Sequence, residues 1–319
     1  MKPLEELRAL YDSEFAPIFA EIRAAREAAT KKAWILFLCL APVLCVALWF
    51  FMREAMASLL CALLAASVIA LAYGFGKNTR QNHRFKDTIL QKTLAFVAPG
   101  MRYDRKKFIP LSEFKKSGIY TESISRYDGE DCFLGKYEEV DLAFSEVHAQ
   151  KLVSNGKSSH HVTIFKGVFF IADFNKDFHT STFVLPNRAE EVLGTSFGRW
   201  AKKMDISHKG KLIRLENPEF EKMFAVYAQD AIEARYILTP NIMERMMAIQ
   251  RRFPGDVAFA FHASAIYITI PSKTDFFELP PTLDFSGIAA LHHELALFLG
   301  LVHEMNLTLR IWTKQGANK

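Results

Sequence analysis

Cysteine is scarce in this 319-residue chain: there are four, Cys39, Cys45, Cys61 and Cys132, and no CxxC. Three lie in apolar runs and Cys132 stands alone in polar sequence. Neither a disulfide framework nor a zinc ribbon is supported, and a reduced compartment fits the polar part. An excess of one charge is also lacking. The net charge is only +5, whereas nucleic-acid binders concentrate basic charge far more strongly. Polar aromatics are few: 28 Phe stand against nine Tyr, which suits bulk packing. No GxGxxG, internal repeat or low-complexity tract occurs, so the dinucleotide-binding fingerprint is absent.

Two stretches lack charge altogether. Ala33–Phe51 and Met56–Phe75 contain no Asp, Glu, Lys, Arg or His. Each is roughly 28–30 Å long as a helix, matching a hydrocarbon core of about 30 Å. Only Met52 to Ala55 separates them, so they are expected to form a transmembrane hairpin with both chain ends on one side. Arg23, Arg26, Lys31 and Lys32 precede it, and Lys77, Arg80, Arg84 and Lys86 follow it. The positive-inside rule then places both termini in the cytoplasm. Ser58, Ala62, Ala66 and Ala70 recur every four residues on the second run, where small side chains let helices approach closely. Without an ionisable group, the hairpin offers no ion path.

Leu4, Leu7, Tyr11, Phe15, Ile18, Ile22, Ala25 and Ala29 recur at steps of three and four, the pattern of one helix face. Pro17 is expected to kink or restart that helix. The simpler reading packs residues 1–32 on the protein's own domain or continues them into the first span; the sharper one is a coiled-coil seam with another subunit, hence a possible homo-oligomer. Residues 76–99 read as a basic juxtamembrane helix. Lys31, Lys32, Lys77, Arg80, Arg84 and Lys86 are the candidate contacts to anionic lipid headgroups.

From residue 100 to 319 the pattern changes to that of an α+β domain with a mainly antiparallel sheet, either one domain or two subdomains split near 194–211. Asp128-Gly129 and Gly135-Lys136 are read as turns, with a strand near Val140 to Val147. Val162–Phe165 and Val168–Ala172 are nearly continuous in apolar residues, with Gly167 between them suggesting a bulge. Asp173 to Phe178 is then a turn, and Ser181–Pro186 the returning strand. Further on, Asn217-Pro218 and Thr239-Pro240 each pair an N-cap with a proline at the first helical position. Asp230–Leu238 carries a helix-like pattern. Val257–Pro271 reads as a hairpin of two strands. Gly287–Met305 reads as a helix with Ile288, Leu291, Leu295, Phe298 and Val302 facing inward, and Leu307–Trp312 as a closing strand.

The motifs that carry chemistry fail on inspection. Gly129–Tyr137 resembles a P-loop but has five residues between its glycines, and Tyr137 where a Ser or Thr must bind magnesium. The histidines of "HHEL" and "HEMN" lack a second histidine four residues on: Leu297 follows His293, and Leu307 follows His303. His292 and His303 share a face but are roughly 16 Å apart along a helix axis, too far for one metal. Gly194–Gly198 matches GxSxG around Ser196, yet the residues before it read as helix rather than the strand a nucleophile elbow needs. His160, His161, Asp173 and Asp177 sit at strand ends and turns, where structural roles are usual. Asn306–Thr308 is a glycosylation sequon by pattern only. No catalytic, cofactor-binding or metal-ligating residue is assigned.

Three stretches, Phe165–Phe178, Glu216–Pro240 and Asn306–Trp312, resemble the bacterial family called domain of unknown function 3137. The resemblance covers roughly Asp128 to Thr313 together with the two apolar runs ahead of it. It implies a bacterial membrane protein with a cytoplasmic domain, and no mechanism. Three readings of function stay open. The first is a binding or scaffolding module at the inner membrane face, for a protein partner or lipid headgroups. The second is a hydrolase-like membrane enzyme, which a cleft gathering His160, His161, Asp173 or Glu146 would favour. The third is a self-assembling membrane organiser.

Overall fold

The structure, a computed structural model, describes residues 4–52, 65, 85–154, 156, 158–174, 176–187, 208–278, 284–305 and 307. The second apolar run, Lys77, Arg80, Arg84, Ser196 and its neighbours, and the closing strand beyond Leu307 lie outside them. By contacts the chain divides into two units: Met1–Thr93 with Glu278–His292, and Leu94–Phe277 with His293–Lys319.

The first unit is helical. Helix α1 (Leu4–Leu10) passes through a π-turn (Tyr11–Phe15) into α2 (Ala16–Met52). Pro17 explains the interruption, since it has no N–H for the carbonyl of Ser13 and its ring crowds that carbonyl. The Ala16 N–H reaches back to the Tyr11 carbonyl, five residues away, as a π-turn requires. The wider turn also changes which side chains face inward. Leu7, Phe15, Phe19, Ile22 and Ala29 are buried, while Ile18 is only half-buried. The expected face therefore holds at both ends, and Phe19 takes the place expected for Ile18. Ile89 and Leu90, on α3 (85–97), and Ile288 and Leu291 complete the unit's buried apolar set. The Tyr11 ring lies 5.7 Å from Phe285, edge to face, and Lys92 pairs with Glu14.

Beyond Thr30, α2 continues into the first charge-free run. Trp34, Ile35, Leu38, Val43 and Val46 are 57–65% exposed there.

Among the described residues the second unit is built on one nine-stranded antiparallel sheet: β1 (Met101–Asp104), β2 (Arg126–Tyr137), β3 (Val140–Ser154), β4 (Ser159–Asp173), β5 (Thr182–Pro186), β6 (Lys211–Ile213), β7 (Phe224–Ala228), β8 (Ala258–His262) and β9 (Ala265–Pro271). Their spatial order is β1-β2-β3-β4-β9-β8-β5-β7-β6. Its helices are α4 (Leu111–Lys116), α5 (Pro218–Met223), α6 (Ala231–Ile237), α7 (Pro240–Arg252) and, from His293 on, α8 (Phe285–Glu304), whose first residues belong to the first unit. The α+β class with an antiparallel sheet holds.

Several sequence expectations are corrected. Asp128-Gly129 and Gly135-Lys136 are not turns; both lie inside β2. The connection from β2 to β3 is Glu138-Glu139, both with positive φ, as a two-residue I′ hairpin requires. The glycines serve close packing instead: a Cβ on Gly129 would sit 2.2 Å from the Glu146 carbonyl oxygen. Gly167 is not a bulge. It pairs regularly with Val147 and Pro271 at φ +145, and a Cβ there would meet the Ile270 carbonyl oxygen at 2.2 Å. The β3–β4 bulge falls at Ile164, which the pairings Ala149↔Phe165 and Gln150↔Thr163 leave over. Nor does β5 return beside β4. The β8–β9 hairpin is inserted between them, with β9 pairing β4 and β8 pairing β5.

Among the described residues the caps and later elements form as expected. Asn217 Oδ1 accepts from the Glu219 and Phe220 amides, both at 3.0 Å, and Thr239 Oγ1 accepts from Ile242. The β8–β9 hairpin is present. Ile288, Leu291, Leu295, Phe298 and Val302 on α8 are all buried. Among the described residues α8 is the one helix that passes for a membrane span by length and composition, and half of that stretch is buried.

The aromatic content is explained by the two faces of the sheet. On one, Phe114 of α4 packs against Phe165 and Phe169 at 5.8 and 5.0 Å. On the other, Phe298 of α8 packs against Phe144 at 5.6 Å and Phe277 at 5.3 Å.

Candidate functional site

Residues paired directly across antiparallel strands share a face, as do residues two apart along one strand. The register aligns Asp128, His148 and Lys166 in one row, and Glu130, Glu146 and Val168 in a second row on the same face. The next rows along this face are aromatic, with Phe144 opposite both Phe133 and Phe170. One sheet face thus changes from an aromatic core to a charged surface over two residues of β3, between Phe144 and Glu146.

At that change a groove of about 400 Å³ opens, lined by Asp128, Glu130, Glu146, His148, Lys166 and, from the segment after β9, Asp275. Two glycines, Gly129 and Gly167, let the backbones approach beneath it. The wall after β9 is tied down by carboxylates and amides: Glu146 Oε1 accepts from the Phe276 amide, and Glu294 Oε2 accepts from the Phe277 amide at 3.0 Å. Phe277 sits at φ +55, a left-handed conformation uncommon for a bulky residue. The Glu294 bond and its buried ring hold it there.

The groove carries an excess of negative charge. Lys166 Nζ lies 2.9 Å from Asp275. That hydrogen bond lifts the lysine pKa, and Asp275, Glu146 and Glu130 add to it through space. His148 Nε2 is 2.9 Å from Thr163 Oγ1, and its Nδ1 is 3.8 Å from Asp128. Glu130 and Glu146 face each other directly, a like-charge pairing that Lys166, in coulombic range of both, offsets. One oxygen from each of Glu130, Asp131 and Glu146 lies within 4.8 Å of the others. Asp131 occupies a bulge where Asp131 and Cys132 oppose Ser145, at φ 57, and accepts the Tyr103 hydroxyl at 2.6 Å. A cation could touch all three oxygens, although Asp131 and Glu146 already have protein donors. Burial pushes the neighbouring Cys132 thiol up to about 11, so it is a poor nucleophile at neutral pH.

Few sequence candidates meet here. Of His160, His161, Asp173 and Glu146, only Glu146 lines the groove. His160 and His161 are exposed near the start of β4, and Asp173 ends that strand. Lys31 and Lys32 are exposed on α2 just before the apolar run. Lys86 is 3% exposed, with Nζ 2.6 Å from Glu278; a charge so enclosed and paired does not reach a headgroup. Glu130, His148 and Lys166 were not singled out. The signal for them was present: Phe144, Glu146 and His148 alternate on β3, and Asp128 and Glu130 on β2.

The sequence profile described as "Protein of unknown function (DUF3137)" matches residues 163–307, a narrower span than Asp128 to Thr313. No curated protein matches the chain. Among solved structures, the crystal structure of the mycobacterial trehalose monomycolate transport factor A, TtfA, is similar at 9% identity. The match covers 72% of this chain and 98% of that one with a TM-score of 0.35, too distant to transfer anything. From Thr163 in β4 to Leu307 just past α8, the chain is thus similar to the family of proteins of unknown function DUF3137.

Proposed function

We propose that the chain is a membrane-anchored binding module, held by a two-span hairpin at the inner face of a bacterial membrane, with both ends cytoplasmic. The carrying observation is α2. It runs for 37 residues, about 55 Å, and its second part presents Trp34, Ile35, Leu38, Val43 and Val46 outward without a charge. Such a surface is costly in water and favourable in hydrocarbon, at a few tenths of a kcal/mol per residue on the insertion scale. Lys31 and Lys32 stand at its edge, where cations contact anionic headgroups; Lys77, Arg80 and Arg84 take the same role in this reading.

The sheet unit is the binding part and the charged groove its recognition site. Binding is favoured over hydrolysis because Lys166 is already engaged by Asp275 and His148 by Thr163, and among the lining side chains Thr274 alone carries a hydroxyl and none a thiol. Native membranes washed with alkaline carbonate test the anchor: the chain should stay in the pellet, and release into the supernatant refutes it. Crosslinking in the same membranes tests the module. A recurrent partner lost in Lys166→Gln or Glu146→Gln supports the groove; a partner retained in both variants does not.

A further inference from the structure

One wall of the groove is not strand. Strand β9 ends at Pro271, and the chain then runs along the groove, with Thr274 and Asp275 in its lining. This stretch is anchored at both ends. At one end the Ser272 amide donates to the Lys166 carbonyl at 3.0 Å, and the Ser272 hydroxyl donates to the Thr274 carbonyl at 2.6 Å. At the other, Phe277 is fully buried, its ring 4.7 Å from Phe133 and 5.3 Å from Phe298. The Phe276 ring stands edge to face on Phe298 at 5.2 Å.

Between these anchors Lys273, Thr274 and Asp275 are exposed. Among the described residues no backbone hydrogen bond joins them to a strand. Two polar ties reach from here to the sheet. Asp275 takes Lys166 at 2.9 Å, in a half-exposed ion pair. The amide of the Asp275–Phe276 peptide donates to Glu146. Both ties are made by side chains that line the groove itself. Lys166 is also shared, because Glu146 and Glu130 act on the same ammonium through space. It therefore keeps favourable neighbours when Asp275 moves away. Half-exposed ion pairs are weak, and a segment with few apolar contacts and an exposed backbone opens at far less cost than global unfolding.

We infer that Lys273–Asp275 is a lid on the groove, which moves between fixed points at Ser272 and Phe277 and opens while the sheet stays folded. The inference rests on reading the groove as the recognition site, and it gives that site its regulation. A ligand that pairs with Lys166 competes with Asp275, so occupancy of the groove and opening of the lid favour each other. A lid held by charges also answers to ionic strength, because salt screens the Lys166–Asp275 pair.

The test is hydrogen exchange of the full chain in detergent micelles, with no partner added, read at the Phe276 amide. That amide bonds Glu146, so it reports the loss of the Lys166–Asp275 pair only if the lid moves as one body. Lys166→Gln and Asp275→Asn should each speed its exchange by about two- to fivefold, the weight of a half-exposed ion pair. Sodium chloride at about 1 M should do the same to the wild type. The Phe277 amide and the β8–β9 hairpin amides should keep their rates. Unchanged exchange at Phe276 in either variant overturns the inference. So does acceleration shared by the β8–β9 hairpin, which marks unfolding of the sheet rather than opening of a lid. Because no partner enters this measurement, its failure leaves the groove standing as a rigid recognition site; that reading is decided by the crosslinking of Lys166→Gln and Glu146→Gln.

Discussion

Replacing Glu233 by alanine should loosen the loop between β4 and β5 in a pH-dependent way. The carboxylate accepts three hydrogen bonds from that loop, at 2.8, 2.8 and 2.6 Å. Hydrogen bonds to a charged group contribute about 1.5–3 kcal/mol each when buried, but these donors are half-exposed and regain water, so the joint loss should be about 2 kcal/mol. For a domain of this size that lowers Tm by roughly 4–8 °C. Burial alone raises the Glu233 pKa; the Thr180 hydroxyl and the His179 and Thr180 amides outweigh it, so the net shift is downward. A folded-state pKa below the unfolded value of about 4.3 means the stabilisation is complete above that value. It is lost as pH falls through the folded pKa. Urea unfolding of the wild type and Glu233→Ala at pH 7 and near pH 3 should show a gap that narrows in acid. Glu233→Gln, with one oxygen left, should fall between them at pH 7. A Glu233→Ala gap below about 0.5 kcal/mol at pH 7, or one that persists in acid, would refute the reasoning.

Three other outcomes follow from the packing. Gly167→Ala should prevent β9 from docking, because its Cβ would lie 2.2 Å from the Ile270 carbonyl oxygen, whereas Gly300→Ala, inside α8, meets nothing within 4 Å; soluble yield and urea midpoints of the pair should diverge sharply. Phe298→Ala removes a ring that touches Phe144, Phe253, Phe276 and Phe277 and should cost about 3–5 kcal/mol in denaturant unfolding. Cys132, with its pKa pushed up to about 11, should resist iodoacetamide at pH 8 in the folded chain and react at once in guanidinium, as peptide mass spectrometry would show.

What was legible in the sequence was local. The caps at Asn217 and Thr239 are short-range chemistry, and both formed. The inward face of α8 follows from its period, and the paired strands around residue 263 from their apolar runs. Long-range placement was not legible. Gly129, Gly135 and Gly167 looked like punctuation because glycine is common in turns. Their purpose is contact with backbone remote in the chain, while two glutamates make the tight connection at 138–139. The face of α2 shifted to Phe19 because a proline forced a wider turn, which a strict 3.6-residue count does not foresee. The groove escaped notice because its residues come from three strands and a loop. Each alone is an ordinary strand polar residue; only register brings Glu130 opposite Glu146.

The place of β9 in the sheet bears on how the chain is made. Strand β4 finds its outer neighbour roughly a hundred residues downstream, Gly167 against Pro271 and Asp173 against Ala265. At about 5–20 residues per second, a ribosome takes some 5–20 s to supply it. Through that interval one long edge of β4, rich in phenylalanine, waits without its partner, and such an edge is a template for wrong pairing. Closing so large a loop also slows folding, because chain entropy is lost before the pairing repays it. The sheet therefore cannot be completed by its first half. Its central seam is sealed late, by a hairpin inserted between strands that are consecutive in the chain.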